Sequence, residues 1–305
     1  MKERTLPLAI LPLLLASCTQ IYWTDHGYPA AVQQMSLDGK TTVPVIVQKE
    51  ESGWPRSPFT LAYDKHSNRL LWQDLKGHAI KSVDRATGKL GDWAVVLAPS
   101  AMPLDLCVDQ KSRTVYFPVV HYATPRTYSI QAASLDTGKV WVVVPKSTQV
   151  IYTVDFDAGR NALTYTMANS AADSFGVWRH SLTSGKSEQI VPARDQCRGA
   201  LRCALDSSGN RVFWTRNDRD NKLDGVWAMD LTESGTPKQI VQSPGTYPFE
   251  IECRRTWTGT SQLFWADITL GAILASKADG SGLHTVLDVR KASLGIYPTA
   301  LELVR

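Results

Sequence analysis

The sequence predicts an all-β chain: a six-bladed β-propeller with four antiparallel strands per blade, the first blade closed by the C-terminal strand. Three observations predict it. An apolar–aromatic motif recurs at near-constant spacing. The same strand and turn signals flank each copy. The C-terminus carries the one strand signal that the first copy lacks.

The motif is complete once, as Ile21-Tyr22-Trp23-Thr24-Asp25. It returns around Trp72, Phe117, Tyr165, Trp214 and Trp265, at intervals of 49, 45, 48, 49 and 51 residues. A fixed period of this size is the signature of stacked repeats. Before each marker from the second to the fifth lies a short alternating strand, as in Pro58-Phe59-Thr60-Leu61-Ala62-Tyr63-Asp64 and Pro103-Leu104-Asp105-Leu106-Cys107-Val108-Asp109. Asp64, Asp109, Asp157 and Asp206 each stand eight residues before their marker, and turn residues follow them. After the marker strand comes a third strand ending at a Gly turn, for example Asp84 to Lys89 or Ser134 to Lys139. Glycine there supplies the positive φ of a tight hairpin. A β-branched fourth strand, such as Val43 to Val47 or Val140 to Val144, completes the unit. Four antiparallel strands in a repeat of this length make one propeller blade. The first copy begins directly at its marker strand, and Tyr297 to Leu303 matches the missing upstream strand. Pairing the two chain ends in one blade removes otherwise open sheet edges.

These residues give the chain a family likeness. Tyr22-Trp23-Thr24-Asp25, with the degenerate Leu71-Trp72-Gln73-Asp74 and Phe264-Trp265-Ala266-Asp267, resembles the YWTD propeller of the low-density lipoprotein receptor family, the class B repeats. The resemblance covers roughly residues 19–305. It implies that the aromatics pack between blades and that the motif Asp bonds neighbouring backbone. Trp23, Trp72, Trp214 and Trp265 are accordingly expected in the core, since a large aromatic is worth most when buried.

Residues 1–18 have another character. Lys2 and Arg4 precede an apolar run from Leu6 to Leu15, then Leu15-Ala16-Ser17-Cys18. This is the pattern of an export signal, too short for a permanent span. Its end resembles a bacterial lipobox, which would make Cys18 a lipid attachment point. Ordinary cleavage, with Ala16 and Cys18 as the small residues before the cut, is the other reading. The chain is thus expected outside the cytoplasm, secreted or lipid-anchored to the envelope, with membrane contact only through Cys18. A formal charge of +4, thinly spread, argues against nucleic acid as a partner.

Export permits disulfides. Cys107, Cys197, Cys203 and Cys253 allow three pairings. Cys197 with Cys203 closes the shortest loop and is the expected pair; four buried thiols are the alternative.

Two surfaces are candidates for function. The inner strand of each blade faces the axis, and alternation places Asp105, Asp155, Glu250, Glu252 and Glu302 on one parity with Thr60, Thr153 and Arg202. Converging carboxylates from different blades would hold a divalent cation through oxygen ligands, or raise one pKa toward acid/base use. Arg202 and water would otherwise neutralise them. The second surface is the loops on one face of the ring. There Tyr22, His26, Tyr28, Tyr122, Tyr128, Arg216 and Arg219 form a candidate rim for a protein or glycan ligand. The sequence has no nucleophile elbow, phosphate loop or paired-His metal motif. The leading expectation is therefore an exported, non-enzymatic binding propeller without a cofactor. The alternatives are a gluconolactonase-like hydrolase using a divalent metal at the axial acids, and a structural scaffold in an envelope complex.

Overall fold

The computed structural model describes residues 20–25, 31–36, 42–47, 58–74, 77–168, 175–191, 200–206, 210–217, 222–231, 235–256, 258–291 and 298–304. Blade one contains β1 (Gln20–Asp25), β2 (Ala31–Ser36) and β3 (Thr42–Val47). Blade two is β4 (Pro58–Asp64), β5 (Arg69–Asp74), β6 (Ala79–Asp84) and β7 (Leu90–Val96). Blade three is β8 (Ala101–Pro103), β9 (Cys107–Asp109), β10 (Thr114–His121), β11 (Thr127–Ser134) and β12 (Val140–Ser147). Blade four is β13 (Val150–Asp157), β14 (Ala162–Ala168), β15 (Phe175–Ser181) and β16 (Ser187–Val191). Blade five is β17 (Ala200–Asp206), β18 (Arg211–Arg216), β19 (Gly225–Asp230) and β20 (Lys238–Gln242). Blade six is β21 (Pro248–Arg255), β22 (Ser261–Asp267), β23 (Ala272–Lys277) and β24 (His284–Asp288). The last strand, β25 (Pro298–Val304), pairs antiparallel with β1, giving the order β25-β1-β2-β3.

The six sheets form a closed ring. The inner strands touch in the sequence β4, β9, β13, β17, β21, β25 and back to β4. The C-terminal strand thus completes the opening blade.

The aromatic pair explains why the ring holds. Successive side chains of a strand point to opposite faces. The marker strand lies between two neighbouring blades, so both its faces are covered. Its first aromatic goes to one interface and the marker to the other. Tyr22 packs in one cluster with Trp72, Leu71 with Phe117, Tyr116 with Tyr165 and Phe213 with Trp265. Phe264 shares a cluster with Trp23 and Leu301, which seals blade six to blade one. Trp23, Trp72, Trp214 and Trp265 are 0–1% exposed, as the sequence predicts.

Repeated polar features fix the turns between strands. Asp64, Asp109 and Asp157 accept backbone N–H bonds from His66, Lys111 and Arg160. This is the Asx-turn behaviour of a short acceptor at a strand end. Asn68, Arg113, Asn161 and Asn210 then adopt φ of 51°, 54°, 48° and 52°, each four residues before its marker. Asn tolerates that left-handed region. Arg113 is held there by Asp64 and Asp136, at 2.8 and 2.7 Å.

One strand differs from expectation. The run Pro103–Asp109 does not form a single strand but breaks into β8 and β9 around Leu104-Asp105-Leu106. Every other inner strand has a register shift at the same level: 58/61, 151/154, 200/203, 248/251 and the step opposite Thr24/Asp25. Blade three carries the larger version of a bulge present in all six. Asp105 turns at this break to bond the next blade, its Oδ2 accepting from Val154 N at 2.9 Å.

Trp23→Ala should therefore lower unfolding free energy by about 3–5 kcal/mol, the range for emptying a buried aromatic site. Trp141→Ala, at a side chain 40% exposed on the outer strand β12, should change it by less than ~0.5 kcal/mol. Denaturant titration of the two variants checks this, and similar losses would contradict the placement.

Candidate functional site

The common bulge divides the axis into two spaces. N-terminal to it, the inner strands line a cavity of about 340 Å³ with Phe59, Met102, Leu104, Tyr152, Tyr247 and Phe249. Gln73 and Arg202 complete its described walls. Beyond the bulge lies a narrower channel of about 150 Å³, lined in part by Asp105, Asp155, Glu250, Glu252 and Glu302.

Arg202 stands between the two. Its Nη1 is 3.2 Å from Asp105 Oδ1 and its Nε 3.5 Å from Glu250 Oε2. It also donates to the carbonyls of Tyr152 and Leu104, at 3.2 and 3.3 Å. The guanidinium lies over Phe249 at 5.1 Å and Phe59 at 5.8 Å. A planar cation serves both roles at once, edge to carboxylates and face to rings.

The acids fall in two tiers, set by register. Leu61, Val154, Cys203, Ile251 and Leu301 are the residues paired with the marker aromatics. One residue earlier stand Thr60, Thr153, Arg202 and Glu250, with Asp105 in the broken strand of blade three. One residue later stand Ala62, Asp155, Ala204, Glu252 and Glu302. The first tier has a cation; the second has three acids and none. Burial pushes Glu302 up to about 8, and the Asp155 charge adds to this against the backbone N–H of Tyr63. Burial lifts Glu250 to about 8 even against Arg202. Glu252 goes well above the usual carboxylate range through burial and its neighbour Glu302. Asp155 reaches about 6 by burial, restrained by N–H bonds from Leu205 and Phe156 at 2.9 and 2.7 Å.

Asp105 is committed to Arg202 and Val154 N, and Asp155 to two backbone donors. No group of three or more His, Cys, Asp or Glu among the described residues has a metal-holding arrangement.

No family model matches the chain. A vitellogenin receptor from Solenopsis invicta is 28% identical over 144 residues, which are 47% of this chain and 7% of the receptor. The match therefore spans a small part of that receptor. The ring superimposes on the solved structure of a nidogen/laminin complex with a TM-score of 0.73 at 12% identity, covering 94% of this chain and 98% of the other. It also superimposes on TolB from Acinetobacter baumannii, with a TM-score of 0.65 at 13% identity over 86% and 61%. A gluconolactonase from Xanthomonas campestris gives a TM-score of 0.56 at 14% identity over 79% and 76%. These likenesses, the blade count and the motif agree. The fold is a six-bladed propeller, and the chain resembles the YWTD propellers of the low-density lipoprotein receptor class B type.

The motif Asp residues of the YWTD-like propeller act on backbone, as that likeness implies. Asp74 accepts from Gly77 N at 3.0 Å and Asp267 from Leu270 N at 2.9 Å. The structure places all five sequence-selected acids along one channel. The rim set is largely corrected. Tyr22 is 0% exposed, because strand alternation sends it into the interface between blades one and two, where its hydroxyl lies 2.9 Å from Oε1 of Gln34. Tyr128 is buried in the core of blades three and four. Arg216, at 1% exposure, ends a marker strand and stacks over Trp227 at 5.6 Å. Tyr122 alone of the described rim residues is exposed, at 43%, with Arg126 over its ring. His26, Tyr28 and Arg219 lie outside the described residues, as do Cys18 and Cys197. Cys203 is a free thiol among the described cysteines. Its position in the marker-paired row buries it against the channel and raises its pKa well above the ordinary value, chiefly by desolvation.

Sequence reasoning missed the aromatic mouth. Phe59, Leu104, Tyr152 and Phe249 each stand two residues before Leu61, Leu106, Val154 and Ile251. That apolar column was visible in the aligned inner strands.

Raised carboxyl pKa values give a definite pH sign. The folded chain binds more protons than the unfolded chain between the ordinary value of 4.5 and about 8. Stability therefore falls as pH rises through that window. The midpoint of thermal unfolding should drop by several degrees from the acid to the alkaline end of it, and Glu302→Gln should flatten the slope by stabilising the alkaline side. A pH-independent midpoint in both proteins would contradict the buried acid tier.

Proposed function

We propose that this chain is an exported, non-enzymatic binding propeller that docks a protein ligand on the face where its inner strands begin. The carrying observation is the aromatic cavity at that mouth. A concave, mostly apolar site with a few convergent polar groups is the usual form of a ligand site. Aromatic and Arg side chains at its centre are the residue types that dominate binding energy at interfaces. The vitellogenin receptor is a receptor by name, and the nidogen structure is of a complex with laminin. Both support a binding role for a propeller of this kind. Export rests on the basic and apolar character of residues 1–18, with Cys18 either lipid-bearing or removed. The hydrolase alternative would need acids free to act on a substrate or metal. Asp105 and Glu250 are instead engaged by Arg202 beneath the cavity.

Mild cross-linking in the producing cells tests the reading. The wild-type chain should give one stoichiometric cross-linked protein, lost on Phe59→Ala with Phe249→Ala. Lys139→Ala with Lys186→Ala, on the exposed turns of the opposite face, should leave it intact. A partner retained by the mouth variant, or metal-dependent lactone hydrolysis lost with Glu250→Gln, would contradict it.

A further inference from the structure

We propose that the mouth cavity is a socket for one uncharged aromatic ring carrying an N–H donor, the indole side chain of a tryptophan presented by the partner protein. This rests on the docking reading above and specifies what enters the cavity.

The walls select a ring. Phe249 lies edge-on to Phe59, with centroids 5.3 Å apart at 75°, and stacks on Tyr247 at 6.0 Å and 23°. Phe59 and Phe249 come from blades two and six, which flank blade one, and both line the cavity. Tyr152 enters from blade four and Met102 from blade three. Offset-stacked and edge-to-face partners are therefore available from several directions, the geometries aromatic rings prefer. The thioether of Met102 adds a favourable contact to a ring edge. At about 340 Å³ the space is at the small end of ligand pockets, suited to one bicyclic group rather than a glycan chain.

The polar groups select charge and donor. The charge of Arg202 is already met by Asp105, with the Glu250 carboxyl beside it. An anionic ligand would bring a third acid to the one cation, and a cationic ligand would meet the guanidinium itself. A neutral ligand loses least on entry. Gln73 gives the specific hydrogen bond. It occupies the Thr position of the motif and is fully buried. Its Nε2 donates to the Pro103 carbonyl, while its Oε1 has no hydrogen-bond partner among the described residues. Gln73 lines the cavity, and an unpartnered buried amide oxygen is completed by a ligand N–H and by nothing that lacks a donor. Among protein side chains, tryptophan combines one such donor with no acceptor and no charge.

The probe is N-acetyltryptophanamide, titrated into the intact secreted chain and followed by calorimetry. Saturable binding in the millimolar range or tighter is expected. The analogue methylated on the indole nitrogen should bind roughly 3–10-fold more weakly, the loss of one ordinary hydrogen bond. Phe249→Ala should weaken binding at least about tenfold, the larger effect expected of a lost aromatic wall. The methylated analogue tests the donor without altering the protein, so the proposal does not depend on a Gln73 variant folding. No saturation by the amide, or equal affinity for the methylated analogue, would overturn the socket. Tighter binding of zwitterionic tryptophan than of the amide would assign the cavity to a free small molecule and overturn the partner side chain. If the amide fails while the mouth substitutions still abolish the cross-linked partner, the docking reading stands and the socket alone falls. If the amide binds but cross-linking ignores those substitutions, the docking reading falls.

Discussion

Packing of one blade against the next is the interaction on which the rest of this molecule depends. A marker strand buried on both faces must carry apolar bulk at adjacent positions, and the period of two sends each member of the pair to a different neighbour. Tyr22 and Trp23 therefore belong to different interfaces, one shared with blade two and one with blade six. A fully buried aromatic of this kind contributes about 1.5–3 kcal/mol by transfer from water. No blade buries its own faces alone, so stability is a property of the ring. The pairing of β25 with β1 matters because it places Leu301 and Trp23 where Phe264 needs a partner.

Ring closure also creates the axis and its chemistry. Six inner strands meet with their bulges at one level, which separates the mouth cavity of about 340 Å³ from the smaller channel of about 150 Å³ beyond. Side chains before the bulge are aromatic or apolar; those after it include acids that the ring encloses. Arg202 sits at the boundary, its edge to Asp105 and Glu250 of the first acid tier and its face to Phe59 and Phe249. The second tier has no cation, and its acids hold protons well above the ordinary carboxylate range.

The blade count, strand order and closure were legible in the sequence because burial on two faces repeats with the period of the fold. The axial acids were legible for the same reason, since inner-strand alternation is a local property. Other features were not. Tyr22 and Arg216 resemble binding residues by type, yet they lie on the marker strand, whose two faces are both covered. The split of Pro103–Asp109 follows from a bulge whose position is set by neighbouring blades. The place of Cys203 beside the channel follows from its register against Trp214, which spacing along the chain does not reveal. The mouth cavity joins Phe59, Tyr152 and Phe249 from blades two, four and six, and such proximity exists only once the ring is closed.

The most direct test of the account is a double-mutant cycle across the seal between blades six and one. Phe264→Leu and Trp23→Phe, singly and together, should show a coupling free energy of about 0.5–3 kcal/mol, as contacting core residues do. Phe264→Leu with Trp72→Phe, at an interface on the other side of blade one, should add within ~0.5 kcal/mol. Additive losses at Phe264 and Trp23, or equal coupling in both pairs, would contradict a ring sealed by alternating aromatics.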